Sequence, residues 1–396
     1  NSKGQLVKEL FAADLSSQII YTYNNLGRLA TTSTSGYLYE NIYDMTNYGG
    51  ESNTAKGKLL ATRVLENGNE LETRYFKYDS RSGYLTTEGV ISPAGIWEMH
   101  YGDYDRLGNP TEVTLPDGTV KAYDIDGDTG LINSITLKND YDEQDASLLV
   151  SYSGYNKYGQ PKQRLLGHGT YAPVVTDYSY DSATYFLDTL KSSANRESLQ
   201  NYSYTFDKVG NVLSIADGNY DTGIDIGAAD NFTLVNQGRS FSYDKLHRLK
   251  SWTQTQADIT TNYDYDHLGN ITEKYHSASS GALTQKFDYS ERYTEGLRKI
   301  SGYTGASKDD GSGNYSAVFD EFGRMSNRTL NGSSWNYEYS FVNNQLTGVR
   351  QGNNLLASFV YDASERRISK TEEGVTTYYV FPEFEVEVHT PESAAK

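Results

Sequence analysis

The sequence contains no cysteine. That excludes a disulfide framework, a thiolate zinc site and a cysteine nucleophile. Proline and methionine are scarce, at 7 and 3 of 396 residues. Positive charge is in deficit: 35 Lys and Arg stand against 52 Asp and Glu, a formal charge of −17. Nucleic acid and anionic membranes both select basic faces, so neither is expected as a partner. No apolar run approaches the roughly 18 residues that a membrane-spanning helix needs. The chain opens Asn1-Ser2-Lys3, with neither an initiator Met nor a signal-peptide pattern, and reads as a fragment of something longer.

Hydrophobic residues make up only 37%, yet aromatics reach 13%, with 36 Tyr and 36 Gly. Disordered chains are poor in aromatics, so low hydrophobicity here does not mean disorder. Tyrosine carries the apolar area. Its ring packs on a half-buried sheet surface while its hydroxyl reaches water or a partner. At 396 residues the chain is either two or three domains or one repeat architecture. No shift of composition marks a second domain.

A six-residue word recurs: aromatic, Asp or Asn, two variable residues, Gly, then Arg, Asn or Gln. It stands at Tyr23-Asn24-Asn25-Leu26-Gly27-Arg28 and Tyr104-Asp105-Arg106-Leu107-Gly108-Asn109. It returns at Tyr155-Asn156-Lys157-Tyr158-Gly159-Gln160 and Phe206-Asp207-Lys208-Val209-Gly210-Asn211. Two further copies are Tyr265-Asp266-His267-Leu268-Gly269-Asn270 and Phe319-Asp320-Glu321-Phe322-Gly323-Arg324. Tyr123-Asp124 with Gly127 is a looser copy. Tyr243-Asp244 and Tyr361-Asp362 place His247 and Glu365 where Gly is expected, and Tyr78-Asp79 has Gly83 one residue late. Tyr43-Asp44, Tyr180-Asp181 and Tyr289-Ser290 are eroded copies.

Asp or Asn followed three residues later by Gly is the preference of a type I turn, and the Asx side chain bonds backbone N–H groups just ahead of it. Glycine accepts the positive φ that lets the returning strand resume. The flanks alternate, as in Tyr202-Ser203-Tyr204-Thr205-Phe206, which marks strands. The expectation is an all-β chain, a long antiparallel strip of hairpins. Residues 6–15 are the best helix candidate, through Leu6, Leu10 and Phe11. The Gly/Asp/Ser-rich stretches 217–237 and 301–313 read as loops on the strip.

The repeated word in a Tyr- and Gly-rich chain resembles the YD-repeat (RHS-repeat) family. That family includes bacterial Rhs and polymorphic-toxin proteins, the B and C components of insecticidal Tc toxins, WapA-like proteins and teneurins. The resemblance covers residues 20 to about 382. It implies a β-strip that spirals into a partial hollow shell or barrel; in toxin members of the family such a shell sequesters a C-terminal effector. The expected organisation is a lead-in at 1–19, the YD-repeat shell at 20–382, and an acidic strand and polar tail at 383–396. Toxin members also carry an Asp-Pro self-cleavage stretch; this sequence has no Asp-Pro, so no residue inherits that role.

The resemblance implies a secreted or cell-surface bacterial protein and a non-enzymatic shell role. The partner it implies is an enclosed polypeptide or the rest of its own longer chain. Two alternatives stay open. Trp97, Trp252 and Trp335 with exposed Tyr rows suit an adhesion or glycan-binding scaffold, and abundant carboxylates allow a polysaccharide-acting enzyme. Against the enzyme, an Asp that recurs once per hairpin serves the hairpin. Asp124, Asp126 and Asp128 form the densest acidic loop and are a calcium candidate, although the EF-hand positions for Gly and the closing Glu are held by Thr129 and Ile135. No other cofactor is expected. Asp309–Asn314 and His168 are weaker candidates still. Two sets of residues carry the expected structural role. Asn24, Gly27, Asp105, Gly108, Asn156, Gly159, Asp207, Gly210, Asp266, Gly269, Asp320 and Gly323 should make the turns. Tyr23, Tyr104, Tyr155, Phe206, Tyr265 and Phe319 should form an aromatic band on one face.

Overall fold

The fold is described by a computed structural model. It describes residues 1–11, 14–34, 36–43, 47–48, 51–52, 57–139, 142–167, 172–221, 238–254, 258–278, 281–286, 299–301, 303–304, 315–320, 322–330, 332–340 and 344–389. The eroded copies at Asp44 and Tyr289, the loop at His168, residues 309–314 and most of the stretches 217–237 and 301–313 lie outside these residues.

The described residues are almost all strand, paired antiparallel into one sheet of 23 strands, one of nine and a two-stranded ribbon. Sequence neighbours pair in succession: Asp14–Tyr23 with Leu29–Ser33, Glu197–Phe206 with Val212–Asp217, Ile259–Tyr265 with Ile271–Ala278. The helix expected at 6–15 is not formed. Residues 8–11 and 14–15 of that stretch fall in the strands Lys8–Phe11 and Asp14–Tyr23, which pair with each other. Leu6 and Leu10 fit a period of two as well as one of four, and strand pairing decides between them. Among the described residues the single helical turn is Gly218–Asp221.

Alternation gives the sheet two unlike faces. Tyr202, Tyr204 and Phe206 are half-buried while Ser203 and Thr205 are exposed. On the hydroxyl face, facing pairs bond across strands: Thr22 with Thr31 at 2.7 Å, Thr205 with Ser214 at 2.6 Å and Ser242 with Ser251 at 2.6 Å.

The chain divides into two compact units, one of 1–123, 137–146 and 335–396, the other of 124–136 and 147–334. In the first, Val380 and Phe381 join Val90, Met99 and Val113 in a buried cluster, with Trp97 against Phe384 at 5.5 Å between ring centroids. A second cluster joins Tyr39 and Val64 to Ile368. Strands from the C-terminal part therefore cover a face of strands from the N-terminal part. In the second unit the fully buried side chains include Thr176 and Thr261. The strand Asp14–Tyr23 runs across residue 20, and Phe384–His389 pairs with Val375–Phe381.

Candidate functional site

Each word closes on itself. The Gly27 N–H donates to the Asn24 carbonyl, and the Asn24 N–H to the Arg28 carbonyl, both at 2.9 Å. Asn24 Oδ1 accepts from the N–H groups of Leu26 and Arg28 at 3.0 Å. Gly27 has φ +80°. The same bonds form at Asp105 with Gly108, Asn156 with Gly159, Asp207 with Gly210, Asp266 with Gly269 and Asp320 with Gly323. This is a type I turn followed by a left-handed residue, the three-residue hairpin with a G1 bulge. The bulge steps the ladder by one residue, so that Tyr23 faces Leu29, Phe206 faces Val212 and Tyr265 faces Ile271.

Several of the turn carboxylates have their pKa lowered by their own turns. At Asp105 and Asp266 the Asn109 and Asn270 side-chain amides lead in pulling the pKa below the ordinary aspartate value. At Asp207 and Asp244 burial pushes upward most strongly, and the combined hydrogen bonds from Asn211 and Arg248 and their neighbours outweigh it. These aspartates cap turns. Asp124, Asp126 and Asp128 do not gather as ligands, and no cluster of three His, Asp or Glu residues able to hold a metal occurs among the described residues. Asp124 lies in the strand Thr119–Ile125. Asp126 Oδ1 instead accepts from the N–H groups of Asp128 and Thr129 and from the Thr129 hydroxyl.

That arrangement identifies a second, longer word. Asp79, Asp126 and Asp181 each accept from a Ser or Thr three residues on, and the left-handed residue comes one place later, at Gly83, Gly130 and Tyr185. The turn at Tyr123-Asp124 is thus anchored on Asp126 and Gly130, not on Asp124 and Gly127. An Asp-x-x-Ser/Thr spacing was the signal for it. Residues 1–5 are a further short word: Gly4 donates to the Asn1 carbonyl at 3.0 Å, and Gly4 has φ +74°. His247 and Glu365 occupy the glycine position with φ +61° and +66°.

Successive turns are keyed together. The word's tyrosine sends its hydroxyl to the carbonyl just beyond the preceding turn: Tyr23 to Leu6 at 2.7 Å, Tyr155 to Ile132 at 2.5 Å, Tyr265 to Leu249 at 2.7 Å, and Tyr104 to Leu85. Tyr78, Tyr180 and Tyr243 do the same to Leu59, Pro161 and Val212. The word's last side chain reaches forward to a carbonyl of the next turn: Gln5 to Gly27 at 2.9 Å, Arg28 to Gly57 at 3.2 Å, Gln160 to Tyr185 at 3.2 Å and Arg248 to Asp266 at 3.2 Å. Arg248 also lies over the Tyr265 ring, 4.4 Å from its centroid. Sequence reading assigned the last position no role; it locks neighbours.

The six band aromatics, Tyr23, Tyr104, Tyr155, Phe206, Tyr265 and Phe319, are all half-buried. Tyr104 stacks on Tyr84 at 4.4 Å and Phe206 meets Phe186 at 5.0 Å. Burial raises the phenol pKa of Tyr104, Tyr155 and Tyr265. Trp252 faces Phe241 across strands.

Within the first unit lies a buried charge network that sequence reading missed. Glu72, 4% exposed, pairs with Arg366 and lies 3.7 Å from Arg74 Nε. Arg366 also binds Asp362 at 3.0 Å and donates to the Tyr379 carbonyl at 2.9 Å. Arg74 pairs with Glu88 and donates to the Val380 carbonyl. Burial raises the Glu72 pKa against the pull of Arg366 and Arg74. Arg74, Glu88, Tyr101, Asp362 and Arg366 are among the residues lining a cleft of about 540 Å³. Oppositely charged partners occupy the four charged groups, and Tyr101 donates to Glu88 at 3.1 Å.

No family model matches the chain. It is 25% identical over 324 residues to toxin subunit YenC2 of Yersinia entomophaga, covering 72% of this chain and 29% of that protein. Toxin subunit YenC1 of the same organism is 26% identical over 310 residues, covering 68% and 29%. The chain thus spans less than a third of the length of these relatives. Among solved structures, the TcdB2-TccC3-Cdc42 structure superposes with a TM-score of 0.61 at 18% identity, over 97% of this chain and 21% of that one. TcdB2-TccC3 without its hypervariable C-terminal region gives 0.63 at 17% identity, over 94% and 20%. The fold is that of these proteins, and the likenesses bear out the YD-repeat resemblance.

Proposed function

We propose that this YD-repeat chain is a structural, non-enzymatic shell segment of a secreted bacterial toxin-type protein, enclosing or presenting a polypeptide. The observation that carries this reading is the keyed row of turns. The word carboxylates cap their own hairpins, and the word tyrosines and terminal Arg or Gln side chains fasten one hairpin to the next. A chain that commits its recurrent polar groups to self-fastening is built to hold a surface in shape. The relatives named as toxin subunits support the setting. The polypeptide partner, whether separate cargo or the remainder of a longer chain, and the division at residues 20 and 382 belong to the proposal.

The test is protection. A flexible polypeptide carrying one protease site is fused after Lys396, and its cleavage is compared with that of the same polypeptide fused to an unrelated β-protein. The reading expects cleavage at least tenfold slower behind this chain. Equal rates would refute enclosure by this segment.

A further inference from the structure

Two residues after its Asx, each word carries a side chain that the turn itself does not need. Along one row of turns in the second unit that residue is Tyr158, Ala183, Val209, Leu246 and Leu268, the turn at Ala183 being of the longer kind. Each donates its N–H to the Oδ1 of its own Asx residue, at 2.8–3.1 Å, so all five hold the same place at the tip. The turns are neighbours, and the strands between them pair without a break. Gln160 bonds the Tyr185 carbonyl, Phe186 meets Phe206, Asn211 lies 3.0 Å from His247, and Arg248 bonds the Asp266 carbonyl.

Tyr158 is 62% exposed, Val209 63%, Leu246 69% and Leu268 49%. Turns favour Gly, Asn, Asp, Ser and Pro, and a single exposed apolar residue is ordinary; apolar residues at the same place on five adjacent turns form a ridge. The residue before each is Lys157, Ser182, Lys208, Lys245 or His267, all exposed. Lys157 rests on the Tyr158 and Tyr185 rings. The tip carboxylates turn inward: Asp207 accepts from Val209 and Asn211, Asp244 from Leu246 and Arg248, Asp266 from Leu268 and Asn270. A chain of formal charge −17 thus sets cations beside its apolar tips. Neighbouring turns are two strands apart, about 9.6 Å. A helix laid along the ridge repeats one face every seven residues, about 10.5 Å. An extended strand matches that step only at every third residue, and those residues point alternately to opposite faces.

We propose that this ridge is a docking surface for an acidic amphipathic helix of a partner polypeptide. The helix lies along the row of tips and sets one apolar residue per heptad against Val209, Leu246 and Leu268. Its Glu or Asp residues on the same face meet Lys208 and Lys245. Step and charge together select this occupant. A second copy docked ridge to ridge would set lysine against lysine, and the chain's deficit of positive charge disfavours an anionic membrane. The partner binds at the turn edge and is added in trans, so this inference stands or falls apart from enclosure.

The probe is a labelled synthetic helix of four heptads, with leucine once per heptad, glutamate three and four residues from it, and alanine and glutamine elsewhere. It is titrated against the 396-residue chain by fluorescence anisotropy. Saturable binding is expected, at least tenfold tighter than that of a peptide of the same composition with the heptad order scrambled. Replacing the peptide's glutamates by lysine weakens binding at least fivefold, and Lys208→Glu with Lys245→Glu in the protein restores it. Because the charge is exchanged on the peptide first, no folding defect of the protein can imitate the result. Val209→Ser, Leu246→Ser and Leu268→Ser together abolish binding and leave the unfolding midpoint in place. Equal binding of the scrambled peptide, or a serine variant that binds as well, would overturn the proposal. So would self-association of the chain, or its binding to phosphatidylserine vesicles, that the same three serines remove, since either gives the ridge a different occupant.

Discussion

His247 sits where the word calls for glycine, with φ +61°. A left-handed conformation costs an L-residue about 1–2 kcal/mol, and a glycine there costs extra unfolded-state entropy of about 0.5–1 kcal/mol. The difference predicts that His247→Gly is more stable than His247→Ala by roughly 0.5–1 kcal/mol. Alanine is the needed control, because both changes remove the 3.0 Å contact between His247 and Asn211 and differ only at the backbone. Trp252 lies in Leu249–Gln254, the strand leaving this turn, so its fluorescence during urea unfolding reports on the hairpin. At an ordinary φ the order reverses, with alanine ahead. An alanine variant at least as stable as the glycine variant would show that the turn is not held in the left-handed form.

The keying bonds give further expectations. Tyr265→Phe removes the 2.7 Å bond to the Leu249 carbonyl and should cost about 0.5–1.5 kcal/mol by the same urea titration. Tyr265→Ala should cost roughly 1.5–3 kcal/mol, less than for a fully buried ring; a change within half a kcal/mol would remove the ring from the structural account. Glu72→Ala leaves Arg366 and Arg74 facing each other without their shared carboxylate and should cost about 3–5 kcal/mol, seen as a lowered unfolding midpoint. Two opposite pH effects follow from the carboxylates. The folded-state pKa of Glu72 is raised, so the folded form binds the proton first and stability grows as pH falls through that pKa to the ordinary glutamate range. Those of Asp105, Asp207 and Asp266 are depressed, so their contribution is complete above the ordinary aspartate range and is lost as pH falls below it. Thermal unfolding from pH 7 downward should therefore show a maximum in mild acid, and Glu72→Gln should flatten the rise without moving the acid fall.

The hairpins were legible because their chemistry is local: Asp, Gly and an aromatic within six residues decide the turn by themselves. The longer word escaped because Gly83 and Gly130 come one place late and Tyr185 replaces glycine outright, while the hydroxyls of Ser82, Thr129 and Thr184 that mark it are common residues. The strand at Lys8–Phe11 was misread as helix because four residues cannot distinguish the two periods, and its pairing with the strand from Asp14 decided the matter. The network of Glu72, Arg74 and Arg366 had no sequence signal at all. Its partners lie 294 residues apart, and only the packing of strands in the first unit brings them together.

The central claim is that the recurring words are closed, mutually fastened turns. Hydrogen exchange tests it most directly. In each short word the N–H of the Asx residue and the N–H of the glycine are both bonded within the turn. The account predicts that these amides at Asn24, Asp105, Asn156, Asp207 and Asp266 exchange as slowly as the strands beside them, and that Tyr265→Phe speeds exchange at the turn of residues 244–248 as well as at its own. Turn amides that exchange at the rate of free loops, or a Tyr265→Phe effect confined to residue 265, would contradict it.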